Sequence, residues 1–422
     1  MSQGSGSGFQ RSYRHVGLLL IVLCFVMGMV SRGLTDAFSV FVLPIGETFG
    51  VDRAAVTGIY AVAMLGIGFG GPLAGILVDR FGPRQLVVVG VAAMGLGMAL
   101  SALAEAVWQF YPTFGLLGGV GCAALGSVMQ SSLLGRWFSR RLGTALAVSY
   151  SANGVGVMVM APAAQLLIDA YGWRVAYGVL GAAVLLLLVP ILVLPWRLIA
   201  AGHPDLARPV PSESGAEPVV APNLRTAIVS APFWNLCATF CLTSVGIYAL
   251  TPQTVAYLIE QGVSPLEAAG AIGVMGLLMP IGMIGFNWLA DRGGRRVSVV
   301  ASYGCTMAGI GALLAFSGPQ DFWLLAIFVG LFGISMGSRG PMISTLATLR
   351  FRGPHLGRIY GSITLAMGLG GAFGAWAGGF AHDLTGGYTA VMLVSLGGLL
   401  LGGIPLLLEA DRQTRIERGK PR

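Results

Sequence analysis

Charge is scarce in this chain: only 10% of its 422 residues are Asp, Glu, Lys or Arg. A water-surrounded globular domain carries about 25%, so a soluble fold is excluded. Cysteine is scarce as well. Cys24, Cys122, Cys237, Cys241 and Cys305 are odd in number and sit inside apolar runs. That excludes a disulfide framework, and none of them has metal-ligand spacing. They read as small buried hydrophobes. The alternation in segments of about ten residues that marks a transmembrane barrel is also missing. The sequence has no phosphate-cradling glycine loop, no metal cluster and no recognisable nucleophile–base spacing. Catalysis therefore has no support, and no cofactor is implied.

What the chain has instead is apolar length, with 55% hydrophobic residues and a mean hydropathy of +0.80. A hydrocarbon core of roughly 30 Å takes about 20 residues of helix. Runs of that kind cover 15–45, 53–79, 83–104, 108–134, 141–169 and 173–196. Six more cover 230–259, 266–290, 297–317, 321–349, 356–383 and 387–409. The reading is an all-α membrane protein of 12 transmembrane helices, arranged as six-helix bundles at 15–196 and 230–409. Residues 1–14 are a flexible tail, and the run after them is too long for a signal-peptide core, so it stays as the first span. Residues 197–229, with Pro204, Pro209, Pro211, Pro218 and Pro222 among Ser, Glu and Gly, form a semi-stiff linker. Residues 410–422 are a basic tail.

The formal net charge is +8. With both termini placed in the cytoplasm, nearly all of the 25 Lys and Arg residues fall on that side. Arg53 and Arg174 fall on the other. This is the positive-inside pattern, so the basic balance reports topology and nucleic acid is not the expected partner. The expectation is a monomeric, multi-pass protein of the inner (cytoplasmic) membrane, with N- and C-termini cytoplasmic.

The two halves repeat. Gly75-Ile-Leu-Val-Asp79-Arg80-Phe-Gly82-Pro-Arg84 follows the second run, and Asn287-Trp-Leu-Ala-Asp291-Arg292-Gly-Gly294-Arg295 follows the eighth. Arg136-Trp-Phe pairs with Arg350-Phe, and Asp169…Gly172-Trp173 pairs with Asp383…Gly386-Gly387-Tyr388. Duplicated six-helix halves are a transporter design with the substrate site between the repeats. The doubled G-x-x-x-D-R-x-G-x-R loop resembles the signature of the major facilitator superfamily, and the resemblance covers essentially the whole chain. It implies gating roles for Asp79, Arg80, Arg84, Asp291, Arg292 and Arg295, which would latch the cytoplasmic ends of the bundles. Four further stretches resemble the monocarboxylate-transporter and oxalate/formate-exchanger branch. These are Phe41-Val-Leu-Pro44…Phe49-Gly50-Val-Asp52-Arg53, Arg136-Trp137-Phe138-Ser-Arg140-Arg141, Gly357-Arg358-Ile359-Tyr360-Gly361 and Asp383-Leu-Thr-Gly. That branch moves small organic anions, with a proton or by exchange. Its members commonly carry an arginine where this chain has Met283, and the exchangers a lysine where it has Met367.

Three charges lie well inside the runs, and such residues are functional candidates by default. Arg32 and Asp36 are at i, i+4 on the first, so they share a face and can pair. Arg339 lies mid-run in Ser335-Met-Gly-Ser338-Arg339-Gly340-Pro341. At about 1.5 Å per residue, Arg32 and Arg339 both fall near the midplane. In the superfamily the first, fourth, seventh and tenth spans line the cavity, which would bring one arginine from each half to a shared chamber. Two guanidiniums can hold a carboxylate with paired charge-assisted bonds. The candidate substrate-binding set is Arg32 and Arg339 with Ser127, Gln130, Ser244, Tyr248, Asn153 and Ser338, and Asp36 is the candidate proton carrier. The small-residue repeats Gly66-x-x-x-Gly70, Gly71-x-x-x-Gly75 and Gly370-x-x-x-Gly374-x-x-x-Gly378 read as close-contact surfaces between moving bundles.

The expected function is secondary active transport of a small, monocarboxylate-like organic anion by alternating access, coupled to a proton. The alternatives are anion exchange without protons, export of an amphipathic compound, and a transporter-derived sensor. A net-positive cavity disfavours cations, and a sensor would carry a longer soluble output segment than the linker provides.

Overall fold

The computed structural model describes residues 5–138, 142–202, 224–351 and 356–418. Residues 1–4, most of the linker (203–223), 419–422, and the expected basic residues Arg140 and Arg141 lie outside the described residues. All long elements are helical, and 12 helices are long and apolar enough to cross a membrane. The first six are Val16–Phe49, Arg53–Val78, Pro83–Ser101, Val107–Gly135, Leu142–Tyr171 and Trp173–Val193, spans one to six. Spans seven to twelve are Ala231–Glu260, Pro265–Gly293, Arg295–Leu314, Pro319–Arg350, Leu356–Thr385 and Thr389–Arg412. With an even number of crossings, the start of span one and the end of span twelve lie on the same side, called here the terminal end, opposite the far end.

Local chemistry explains the boundaries. Ser264 and Glu267 form a reciprocal capping box that starts span eight, with Pro265 in its first turn. The glycine of the repeated loop motif has a conformational cause. Gly82 and Gly294 sit at φ +82° and +88°, where a Cβ is strained, and each ends one helix and begins the next.

The repeat read from the sequence reappears as packing. In the first half, span one lies on five, two on four and three on six; in the second, seven lies on eleven, eight on ten and nine on twelve. The halves meet along two seams, span two on span eleven and span five on span eight. A Cβ added to Gly154 would sit 2.0 Å from the Gly276 carbonyl oxygen, so backbones touch on the second seam. On the first, a Cβ on Gly68 would lie 2.8 Å from the Gly368 Cα. The glycine repeats singled out by spacing mostly do a different job. Gly370, Gly374 and Gly378 press on Cys241, Val245 and Ala249 of span seven, within one half. Gly66 and Gly70 press on span four, while Gly71 has open space. Spacing reveals that a helix face is small, but not which helix it meets.

Spans one, four, seven and ten are broken at corresponding places in the two halves; span six has a separate interruption at Leu187. Span one leaves the α-helix at Asp36 for a 3₁₀ stretch, Ala37–Phe41, and span seven does so at Thr251–Gln253, where Pro252 removes an N–H donor. Span four turns extended at Gly126, and span ten is interrupted between Met336 and Arg339. The interruption in span ten thus falls at Gly337-Ser338. Pro341 instead lies in the first turn of the following helix, where its missing N–H is harmless. Broken helices at matching positions are how transporters expose backbone and polar groups to a central site.

Candidate functional site

The first break carries a buried ion pair with polar partners from two other spans. Arg32 Nη2 lies 3.2 Å from Asp36 Oδ2, the i, i+4 pair that the spacing predicts. The same nitrogen donates to the Tyr248 hydroxyl of span seven at 3.2 Å, across the interface between the halves. Tyr60 of span two donates its hydroxyl to Asp36 Oδ1 at 2.8 Å, and its ring lies 5.9 Å from that of Tyr248. Asp36 is 6% exposed. Such a carboxylate needs its partners, because an unpaired charge inside a bilayer is expensive. Tyr60 was invisible to sequence reasoning, since a tyrosine in an apolar run resembles any core aromatic.

A narrow cavity adjoins this cluster between the halves. Asp36 is its one acidic lining residue; Thr251, Thr254, Met275, Met279 and Met336 supply most of the rest. The polar cluster thus borders a soft, apolar space.

Arg339 is 3% exposed and turns toward span nine. Its Cζ stacks 4.6 Å above the Tyr303 ring, and Nη2 donates to the Thr306 hydroxyl and, at 3.4 Å, to the Ser302 carbonyl. Nε and Nη1 have no hydrogen-bond partner among the described residues. Arg32 and Arg339 thus face different neighbours: the first reaches across to span seven, while the second stays within its own half. Ser338 bonds the Ser302 hydroxyl at 2.6 Å, next to Arg339.

The remaining candidates disperse. Gln130 is buried and ties span four to span five, accepting from Ser149 at 2.8 Å and donating to the Leu125 carbonyl at 3.0 Å. Ser127 is exposed at the start of the helix that follows Gly126. Ser244 is buried in span seven, one turn before Tyr248. Asn153 faces Gly28 of span one. At the terminal end, Asp291, Arg292, Arg80 and Arg84 are exposed and Arg295 is half-buried. Arg292 stacks 4.6 Å over Trp288, and Arg80 lies 5.3 Å from the Phe81 ring. The Asp79 side chain lies outside what the structure describes.

Two polar clusters escaped sequence reasoning. At the far end, Asp383 of span eleven accepts from the backbone N–H of Arg53 at 3.0 Å and of Ala54 at 2.8 Å, capping span two from the other half. The Arg53 guanidinium pairs with Glu260 at the end of span seven, which also accepts from Tyr388 at 3.1 Å. Burial pushes the Tyr388 phenol above its ordinary range, with Arg53 pulling the other way, so it stays a donor. The Arg53 and Asp383 stretches, noted separately as family-like, therefore touch in space. At the terminal end, Glu409 is fully buried, 2.6 Å from Arg350 Nε and 3.4 Å from Asn235, joining spans seven, ten and twelve. Both residues lie at run boundaries, where a charge looks like an ordinary span end.

The sequence profile of the Major Facilitator Superfamily matches residues 18–320 and 281–422. Monocarboxylate transporter 13 of Rattus norvegicus is 28% identical over 399 residues, covering 93% of this chain and 88% of the relative. Monocarboxylate transporter 11 of Homo sapiens is 28% identical over 394 residues, 92% and 81% of the two chains. An uncharacterized MFS-type transporter, YcxA, of Bacillus subtilis (strain 168) is 24% identical over 394 residues, 90% and 91%. With twelve membrane-crossing helices in a duplicated arrangement and a profile that spans nearly the whole chain, this protein is a multi-pass membrane transporter, not an enzyme, and belongs to the major facilitator superfamily.

Proposed function

We propose that the protein carries a small organic monoanion, monocarboxylate-like, across the cytoplasmic membrane by alternating access. The observation that carries this reading is the Arg32 bond to Tyr248, which places a cation where the halves meet, beside Asp36 and Tyr60. A carboxylate entering there competes with Asp36 and Tyr248 for the guanidinium. It weakens the link between the halves and the hold of Arg32 on Asp36. Asp36 then takes a proton more readily, so anion and proton load together, which is reciprocal linkage between two sites. Arg339 is the second cation of the site, and Ser338, Ser127, Gln130, Ser244, Tyr248 and Asn153 are its candidate polar contacts. The names of the relatives support a monocarboxylate as the anion.

The halves are clasped at the far end by Arg53, Asp383 and Glu260. This supports alternation against the loops of Asp79, Arg80, Arg84, Asp291, Arg292 and Arg295 at the terminal end, which we place in the cytoplasm on the positive-inside pattern. Reconstitution tests the proposal. Proteoliposomes should take up labelled short monocarboxylates, with accumulation driven by an inward proton gradient. Saturable exchange that ignores the gradient would favour the proton-independent exchanger. A steady conductance with both ends labelled at once would sink alternating access.

A further inference from the structure

Three spans cooperate to hold one side chain. Tyr303 of span nine lies flat under the Arg339 guanidinium, 4.6 Å from Cζ. The ring cannot swing freely. Its hydroxyl is bonded to Thr243 of span seven at 2.6 Å, and a Cβ on Gly403 of span twelve would already stand 3.3 Å from the ring. Thr306 takes one guanidinium nitrogen and is itself bonded to Ser335 at 2.6 Å; Ser302 is bonded to Ser338 at 2.6 Å. These two hydroxyl pairs bridge spans nine and ten, one just before the span-ten interruption and one within it. The cation thus has a rigid shelf and one bonded nitrogen, while two nitrogens have no partner among the described residues. A buried guanidinium left in that state is costly. It is also preorganised: it can receive an anion without first giving up an ion pair, unlike Arg32.

We infer that Tyr303, assisted by Thr306, is a positioning group that holds Arg339 ready for the substrate carboxylate. The inference rests on the reading of Arg339 as a substrate-binding cation. The ring acts through cation–π attraction, which strengthens when both partners are desolvated. Its hydroxyl serves only to fix the ring through Thr243. Span nine therefore sets affinity without touching substrate.

The test separates ring from hydroxyl and affinity from turnover. Uptake of labelled lactate into proteoliposomes is measured, or of the best substrate in a panel of labelled monocarboxylates. Tyr303→Leu is expected to raise KM about tenfold with maximal rate nearly unchanged, whereas Tyr303→Phe, which keeps the ring and loses only its Thr243 anchor, raises it clearly less. Equal losses in both variants, or a fall in rate at constant KM, would overturn the inference. A thermal-unfolding cycle on purified protein needs no substrate. Tyr303→Leu and Arg339→Met should be non-additive, because each removes the same contact, and strict additivity would equally overturn it. Arg339→Gln distinguishes the two levels. Normal KM in that variant removes the substrate-binding reading of Arg339, while the cycle still decides whether the ring holds the cation.

Discussion

Each buried charge of this transporter differs in what already satisfies it. Asp36 already has two partners, Arg32 and Tyr60. In the proposed coupling, a substrate that takes the Arg32 contact frees Asp36 to carry the proton. Asp36→Asn should retain exchange of labelled anion but lose accumulation driven by an inward proton gradient; retained gradient-driven accumulation would mean the proton travels elsewhere. Arg339 has a single bonded nitrogen and an aromatic shelf. Arg339→Gln removes a charge-assisted contact of about 1.5–3 kcal/mol, so transport should fall roughly ten- to hundredfold while the folded protein is recovered in normal yield. Wild-type uptake by that variant would make the residue structural. Arg32 and Asp36 were legible as a pair from i, i+4 spacing alone. Tyr60 and Tyr248 were not legible as their partners, because those contacts link spans that sequence order leaves far apart.

At the scale of helices, backbone contact matters more than side-chain chemistry. Gly154 of span five and Gly276 of span eight touch across one seam between the halves, and this contact must slide or rock if the protein alternates. Gly154→Ala places a methyl 2.0 Å from the Gly276 oxygen. The expected result is a protein that inserts normally and transports poorly. Gly71→Ala makes the same chemical change into open space and should transport at the parental rate. Comparing initial uptake at equal protein density decides it, and parity between the two variants would deny that the seam moves. The glycine-x-x-x-glycine pattern pointed to close helix contact but assigned it to the wrong partners. Period alone places residues on a face; only the neighbouring helix makes that face a seam or an internal contact.

For the molecule as a whole, we propose that the far-end clasp holds the site closed on that side. Asp383 caps the start of span two from the other half, and Arg53 pairs with Glu260, so both contacts break if the halves part there. Loss of a cap of this kind costs about 0.5–2 kcal/mol. The double variant Glu260→Gln with Asp383→Ala should expose the cavity from the far end several-fold more often. A cysteine introduced at Thr254, which lines the narrow cavity, reports this through its labelling rate by an impermeant maleimide. Unchanged labelling would show that the clasp does not hold the closed state.

Hydrophobicity, charge placement and the doubled aspartate–arginine loop were enough to specify twelve spans, the repeat and the superfamily. Each depends on local composition or on a motif within one turn, and the bilayer enforces them span by span. The Arg32–Asp36 pair was readable for the same reason: both residues lie on one helix. Which of these residues meet was decided only by tertiary structure. Arg339 stacks on Tyr303, Tyr248 answers Arg32, and Asp383 caps Arg53 because helices distant in sequence lie side by side. Buried polar groups must find partners wherever the packing supplies them, and a linear sequence does not show which helix that will be.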